Sequence, residues 1–206
     1  MRKQSTTRNA TERKALEAVK RLQIARPRDL DSLGIQRETL RPLLKRGALI
    51  RVSRGLYTVP DVEASGHRSL AEVAKIVPSG IVCLLSALRY HGLTTQAPSE
   101  VWLAIDIHGW KPRNTPFPVR IVYSSGPALT EGIETHKIDG VSVRIYSAAK
   151  TVADCFKYRN KIGPEVAVEA LKDYLKRHRR GADALWRFAK ICRVSNVMRP
   201  YLEAAG

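Results

Sequence analysis

Residues 27–60 read PRDLDSLGIQRETLRPLLKRGALIRVSRGLYTVP, and this stretch contains two short helical patterns separated by a tight turn. Pro27 presets the backbone for a first helical turn, and Gly34 ends the first helix. The second pattern ends at Gly47. The leucines that recur at helical spacing predict the buried faces of both helices: Leu30, Leu33, Leu40, Leu43 and Leu44.

A basic hairpin is predicted directly after the second helix. Residues 49–59 contain two short runs with strand character on either side of Ser53-Arg54-Gly55. Pro42 would disrupt a helix interior, but it lies in the first turn if the second helix begins near Glu38 or Thr39. Two short helices, a turn and a basic hairpin follow one another in the order of a winged helix-turn-helix domain.

The charge of the chain favours a nucleic-acid partner. The 206 residues include 36 Lys and Arg against 19 Asp and Glu, a formal net charge of +17. Residues 1–60 hold 15 basic and 5 acidic residues, a net +10, and residues 61–206 hold 21 and 14, a net +7. A positive field of this size attracts polyanions, and its density is highest around the predicted winged helix.

The polar side chains of this domain suit recognition of double-stranded DNA. Arginine and glutamine can bond base edges in the major groove, whereas further cations hold phosphates and fix the docking. Three side chains are predicted to read bases: Gln36, Arg37 and Thr39. Four are predicted to hold phosphates: Lys45, Arg46, Arg51 and Arg54, the last of which could instead enter the minor groove. Arg41 and Ser53 complete the predicted DNA-binding set.

A supporting helix is predicted before this stretch. Asn9-Ala-Thr-Glu12 resembles a capping box and predicts the start of that helix. The polar and basic residues 1–8 then precede it, either as a frayed end or as an arm that reaches a phosphate backbone or minor groove.

The remainder of the chain predicts a second domain of mixed composition. Residues 61–66 are polar and turn-rich and predict a linker, and residues 81–90 predict one buried helix because they are apolar nearly all round. Alternating residues predict four strands, of which the last two flank the hairpin signal Asp139-Gly140: Val101–Ile107, Val119–Tyr123, Ile133–Ile138 and Val141–Tyr146. The predicted fold class is α+β, with a winged helix-turn-helix domain at 1–60, a linker at 61–66, and at 67–206 a small, largely antiparallel sheet followed by a C-terminal helical bundle.

No catalytic, metal-binding or cofactor-binding motif is present. The five histidines lack ligand spacing, no CxxC pair occurs, and the chain contains neither a phosphate-binding glycine loop nor GxSxG. Cys83, Cys155 and Cys192 are predicted to be buried structural thiols in a reducing cytoplasm. An alternative function is a nuclease-like enzyme that its winged helix targets to DNA, but the sequence lacks the carboxylate cluster that metal-dependent cleavage would need. No apolar run approaches the length of a membrane span, and no export signal begins the chain.

A second basic surface is a further possibility. The densest basic run combines Lys176, Arg177, Arg179 and Arg180 around His178. Two interpretations are open: a helix C-terminus whose cations complement the dipole, or a second contact with nucleic acid or an acidic partner.

Four motifs follow one another along the chain: RGLYTV at 54–59, LSALRYHGL at 85–93 with VWLAI at 101–105, GVSVRIYS at 140–147, and KTVADCFK at 150–157. Their order and spacing resemble the AbiEi family of antitoxins from type IV toxin–antitoxin systems. The resemblance extends from about residue 10 to residue 204. The positions that match the family's polar motifs are Ser86, His91, Arg144, Asp154 and Lys157.

The resemblance implies a transcriptional autorepressor and antitoxin. Its N-terminal winged helix would bind inverted repeats in its own promoter, and its C-terminal domain would counteract a nucleotidyltransferase-like toxin without necessarily forming a tight complex. The matched polar residues would then serve either the family's function or a structural role in capping and helix–sheet hydrogen bonding. A cytoplasmic monomer or weak dimer is expected, because no dimer seam is evident in the sequence.

Overall fold

The computed structural model describes residues 2–61, 64–112 and 115–204, with side chains described from Asn9 onward. The chain is α+β, as predicted, and divides into two compact units. The first unit comprises Met1–Pro78, Pro112–Pro116 and Lys137–Ser142. The second comprises Ser79–Lys111, Phe117–His136 and Val143–Gly206.

Among the described residues, the first unit contains four helices, one 3₁₀ turn and a two-stranded antiparallel sheet. Its helices are α1 (Arg2–Leu22), α2 (Pro27–Asp31), α3 (Leu40–Lys45) and α4 (Arg68–Ile76). The 3₁₀ turn, Arg37–Thr39, leads directly into α3, and the strands are β1 (Ile50–Ser53) and β2 (Leu56–Thr58). The elements of residues 27–60 therefore occur in the predicted order.

The start of α1 differs from the prediction. The helix begins at Arg2, so the expected capping box at Asn9 lies inside it. A capping-box pattern is only local, and no Pro or Gly between positions 2 and 8 stops the helix from extending further toward the N-terminus. The side chains of residues 1–8, for which the sequence left open a frayed end or an arm that reaches nucleic acid, lie outside the described part of the chain.

The second unit is built on a five-stranded sheet, although residues 137–142, which include the turn between its last two strands, are counted in the first unit. Its strands are β3 (Ile81–Val82), β4 (Val101–Asp106), β5 (Val119–Ser124), β6 (Ile133–Ile138) and β7 (Val141–Tyr146), in the order β5-β4-β3-β7-β6. Its helices are α5 (Leu84–Tyr90), α6 (Pro127–Thr130), α7 (Ala148–Lys157), α8 (Arg159–Ile162), α9 (Pro164–Arg177), α10 (Ala182–Ile191) and α11 (Ser195–Glu203). The helices after Ser147 were predicted, apart from the short α8.

The sheet is mixed, and the expectation of a largely antiparallel sheet was wrong. β4 runs parallel to β5 and β3 runs parallel to β7, while β3 and β4 are antiparallel. Alternation of apolar residues cannot distinguish parallel from antiparallel partners. The central strand β3 was not predicted. Its residues Ile81 and Val82 are as apolar as the helix that follows, so they were included in the helix predicted over 81–90. Leu84, at a φ of 45°, separates this strand from α5.

Helix α7 forms the centre of the second unit. It contacts α5, α9, α10 and α11, and every residue from Ala149 to Phe156 is buried. Ser147 caps it by accepting a hydrogen bond from the backbone N–H of Lys150, as a serine directly before a helix is expected to do. Because α7 has no solvent face over these eight positions, its polar side chains must find partners inside the protein.

No helix in the described residues combines the length and the apolar character that crossing a membrane requires.

Candidate nucleic-acid interface

The candidate interface begins at the turn that ends α2. The Ile35 N–H donates to the Leu30 carbonyl at 3.0 Å, and the Gly34 N–H donates to the Asp31 carbonyl at 3.0 Å. These two bonds are those of a Schellman motif, which requires the positive φ of 71° that Gly34 adopts. Leu30 and Ile35 are both buried, so the turn is anchored in the core while the next residue, Gln36, is exposed.

The next helix is a short element with a tight start. Gln36 has an extended backbone, Arg37–Thr39 form the 3₁₀ turn, and α3 follows from Leu40. Pro42 is the third residue of α3 and therefore lies in its first turn, where a proline costs little. The sequence left the start of this helix open, and the structure places it at Leu40, one or two residues after the Thr39 or Glu38 start that would put Pro42 in the first turn. The turn and α3 together span about 15 Å.

One side of this element is fixed in the core and the other is exposed. Leu40 and Leu43 are buried in a cluster with Ala15, Val19 and Leu30. Arg37, Arg41 and Lys45 recur every four residues and are all exposed. A stripe of three cations therefore runs along the outer side of the 3₁₀ turn and α3.

The hairpin places further cations beyond this stripe. β1 and β2 pair with the register Ile50↔Thr58 and Arg51↔Tyr57, and a bulge follows Arg51. Gly55 closes the turn at a φ of 76°. Ala25 and Tyr57 exchange two backbone hydrogen bonds of 2.9 Å, which attach the hairpin to the segment before α2.

Several of the predicted contact residues already have protein partners. Arg46 Nη1 lies 2.6 Å from Oε2 of the buried Glu12, so this arginine connects the end of α3 to α1. Arg37 lies 3.7 Å from the exposed Asp31. Sequence patterns could not reveal the Glu12–Arg46 pair, because the two residues are 34 positions apart.

All nine predicted DNA-contact residues lie in the segment from Gln36, which precedes the 3₁₀ turn, to the hairpin tip. The exposed members are Gln36, Arg37, Arg41, Lys45, Arg46, Arg51 and Arg54. Thr39 and Ser53 are only half-exposed, and the Ser53 hydroxyl is buried without a hydrogen-bond partner among the described residues. The surface thus offers six cations and one amide at its most accessible positions.

A partly buried ion pair connects α2 to α4. The Asp29 carboxylate accepts hydrogen bonds from the Arg26 backbone N–H at 2.9 Å and from Lys75 Nζ at 2.7 Å. Burial alone would raise the pKa of Asp29, but the contacts with Lys75 and Arg26 outweigh it and hold the pKa below its usual value. Asp29 is therefore charged in the folded protein at neutral pH, and α4 is bonded to the start of α2 through Lys75.

The basic run at the end of α9 is exposed throughout. Arg177 Nη1 donates to the His91 carbonyl at 3.3 Å, and the His178 ring stacks on Tyr174 at 4.3 Å. The other cations of the run make no ion pair within the described residues: Lys176, Arg179 and Arg180. Arg177 and His178 thus contribute to the local structure, whereas Lys176, Arg179 and Arg180 remain accessible to a partner.

The polar residues matched to the family motifs mostly bond inside the second unit. The buried Ser86 hydroxyl accepts from the Trp102 N–H at 2.9 Å, which joins α5 to β4. His91 Nε2 lies 2.7 Å from the Tyr146 carbonyl, and burial lowers the pKa of His91. Arg144 donates to the Ser79 carbonyl at 3.1 Å, whereas Lys157 is exposed. Ser86 and His91 therefore form hydrogen bonds between helix and sheet, which is the structural role that the sequence left open for these positions.

Asp154, the remaining motif position, belongs to a buried polar network. Its carboxylate lies 2.6 Å from Lys150 Nζ and accepts from the Cys192 thiol at 3.2 Å. Burial raises the pKa of Asp154, and Lys150 opposes that rise. All three cysteines are buried, as predicted, and burial raises the pKa of Cys192 to about 12. A protonated thiol is a poor nucleophile, so this network stabilises structure instead of supplying a reactive group.

A known protein family matches a segment of the first unit. Residues 13–60 match the profile of a family described as "Transcriptional regulator, AbiEi antitoxin". The family resemblance inferred from the sequence is thereby confirmed over this segment. No curated protein matches the sequence.

A solved structure has a similar fold. It is the crystal structure of the RV2827C protein from Mycobacterium tuberculosis, with a TM-score of 0.60 and 14% sequence identity. The similarity covers 89% of this chain and 72% of that one. At this identity the likeness concerns the fold alone.

Proposed function

We propose that the protein is a sequence-specific DNA-binding transcriptional regulator and antitoxin. The observation that carries the proposal is the match of residues 13–60 to a transcriptional regulator family over the segment that exposes the cationic stripe and hairpin. In this proposal residues 1–60 are a winged helix-turn-helix domain, 61–66 a linker and 67–206 the antitoxin domain. The first compact unit extends further, to Pro78, because Lys75 of α4 pairs with Asp29 of α2.

The 3₁₀ turn and α3 are proposed to enter the major groove. An element of about 15 Å, buried on its leucine side and cationic on the other, suits a groove about 12 Å wide. Gln36, Arg37 and Thr39 at its N-terminal end would contact base edges. The residues proposed to contact phosphates are Lys45, Arg46, Arg51 and Arg54.

Binding to the DNA upstream of its own gene tests this proposal. A labelled duplex of that sequence and a scrambled duplex of the same composition are titrated with the full chain at several salt concentrations. Neutralisation of about five to eight phosphates should give a steep, linear loss of log affinity with log salt. Tighter binding to the upstream duplex supports autorepression at an inverted repeat, whereas equal affinities would reject sequence specificity.

Antitoxin activity is proposed for residues 67–206, most of which belong to the second unit. The cognate toxin is expected to be a nucleotidyltransferase-like protein, and the neutralisation is expected in the cytoplasm. The test coexpresses a neighbouring toxin with the full chain or with an Arg37→Ala/Arg41→Ala/Arg54→Ala variant that keeps the second unit intact. Equal rescue of growth would assign neutralisation to the second unit, and loss of rescue would assign it to DNA binding. Sedimentation of the full chain distinguishes the expected monomer or weak dimer from a tight oligomer.

A further inference from the structure

A groove of about 1060 Å³ opens on the surface of the second unit. β4 and β5 are parallel, so their carboxyl ends meet at one edge of the sheet, and residues just beyond those ends line the groove. The α7–α8 junction and the connection between α10 and α11 complete its walls. The residues that matter for its chemistry are Tyr123, Lys157, Tyr158, Arg159, Lys190 and Arg193.

The groove is positively charged. Four of the residues that line it are cations, and none is an aspartate or glutamate. Within the described part of the chain, none of these cations is recorded in an ion pair with a carboxylate. Arg159 is oriented by a hydrogen bond of 2.9 Å to the Phe156 carbonyl. Uncompensated positive charge in a concave surface concentrates an anionic ligand.

The groove also presents aromatic rings among these cations. Tyr123 is 47% exposed at the end of β5. The Tyr158 hydroxyl donates to the Tyr123 carbonyl at 3.4 Å, and Lys157 Nζ and Lys161 Nζ each lie 5.6 Å from the centre of the Tyr158 ring. Burial raises the pKa of Tyr158 to about 12, so this phenol adds no negative charge at neutral pH. Cations beside an accessible ring are the combination that single-stranded nucleic acids use, with phosphates on the cations and bases on the ring.

We propose that this groove binds a short segment of single-stranded nucleic acid. Phosphates would lie on Lys157, Lys190 and Arg193, and a base would stack on Tyr123. The volume exceeds the roughly 300–1,000 Å³ of small-molecule pockets, which suits a stretch of several nucleotides better than one small anion. An acidic peptide could use the cations but would gain little from the exposed ring. The site is separate from the duplex-binding surface proposed for the first unit.

Only binding, and no chemistry, is inferred for this groove. Cys192 is the one thiol that lines it, and its bond to Asp154 and its raised pKa keep it protonated. Lys190 and Tyr123 are exposed, so their replacement leaves the buried core of the second unit intact.

The experiment measures fluorescence anisotropy of two labelled probes, an eight-residue oligothymidylate and an eight-residue oligouridylate. Every protein is the full chain carrying Arg37→Ala and Arg54→Ala, which reduces binding by the first unit. Lys190→Glu should weaken binding about tenfold. The matched control Lys172→Glu makes the same charge change on exposed surface outside the groove, and it should change affinity less than twofold. Tyr123→Leu should weaken binding about tenfold, whereas Tyr123→Phe keeps the ring and should retain it.

The outcomes separate the possible ligands. Preference for one probe identifies DNA or RNA as the natural source, and either preference supports the proposal. Equal weakening by Lys190→Glu and Lys172→Glu, an unchanged affinity for Tyr123→Leu, or no binding of either probe would overturn it. An eight-residue oligoglutamate that binds more tightly than both probes, and loses affinity with Lys190→Glu, would assign the groove to an acidic peptide instead.

Discussion

The exposed cations of the 3₁₀ turn and α3 in the first unit and the buried Lys150 in the second unit serve opposite purposes. In the first unit, Arg37, Arg41 and Lys45 lie away from the apolar core and are exposed to a partner. In the second unit, Lys150 is completely buried and is held by Asp154 at 2.6 Å. Removing an exposed charge should therefore alter binding and leave stability intact, whereas removing a buried one should alter stability.

The largest effect is expected from breaking the buried pair. Asp154→Asn leaves the Lys150 ammonium inside α7 without its counter-charge, which should reduce the free energy of unfolding by about 3–5 kcal/mol. Urea unfolding followed by tryptophan fluorescence measures this cleanly, because Trp102, Trp110 and Trp186 all lie in the second unit. The double variant Lys150→Met/Asp154→Leu removes both charges and should recover most of the loss. A cost below 1 kcal/mol for the single change would show that water or another group compensates Lys150.

Gly132 should be the next most sensitive position, because its neighbours leave no room. It has a φ of 74°, and a Cβ there would lie 2.8 Å from the Lys150 Cβ and 2.8 Å from the Phe188 ring. Gly132→Ala should cost about 2–4 kcal/mol from backbone strain plus overpacking. Gly92→Ala is the control: its φ is 66°, but its nearest neighbour is the flexible end of Arg177. It should cost only about 1 kcal/mol in the same fluorescence assay. Equal losses of stability in Gly132→Ala and Gly92→Ala would mean that backbone strain alone, without overpacking, accounts for the cost.

Asp29 predicts a pH-dependent stability of the first unit. Its folded pKa lies below the unfolded value of 3.8, so its contribution is present above about pH 4 and is lost as the pH falls through the folded pKa. Asp29→Asn should therefore lower protection of the amides of α2 and α3 by about 1–2 kcal/mol at pH 7, and by much less near pH 3. Native-state hydrogen exchange measures the protection of these amides in the first unit. Asp31→Asn, whose partner Arg37 is exposed, should have little effect at either pH.

Local signals in the sequence were reliable where a backbone requirement fixed them. Gly34 and Gly55 adopt the left-handed conformations that their turns require, Ser147 caps α7, and Pro42 lies in a first turn. These features depend on a few adjacent residues, so the sequence alone predicts them. The order of elements over residues 27–60 followed from the same signals.

Features set by distant partners could not be predicted in this way. β3 is two residues long and exists because β4 and β7 pair with it on either side. The spacing of Lys150 and Asp154 suggests a helical pair, but only the packing of four helices around α7 reveals that it is buried. The basic groove likewise gathers Tyr123, Lys157 and Lys190 from three separate elements. The candidate DNA-binding residues were identifiable because they occupy one continuous segment.

The smallest effects on stability should come from the exposed cations of the first unit, whose replacement should instead alter DNA binding. Arg37→Ala and Arg51→Ala should each change the free energy of unfolding by less than about 0.5 kcal/mol, since neither side chain is buried. Their effects on DNA should differ, because Arg37 is proposed to read a base and Arg51 a phosphate. Arg37→Ala should cost about 1–3 kcal/mol on the upstream duplex and little on the scrambled one. Arg51→Ala should weaken both duplexes alike and reduce the salt slope by about 1. Identical behaviour of the two variants would reject this division of roles, while a loss of stability would show that the stripe is part of the scaffold after all.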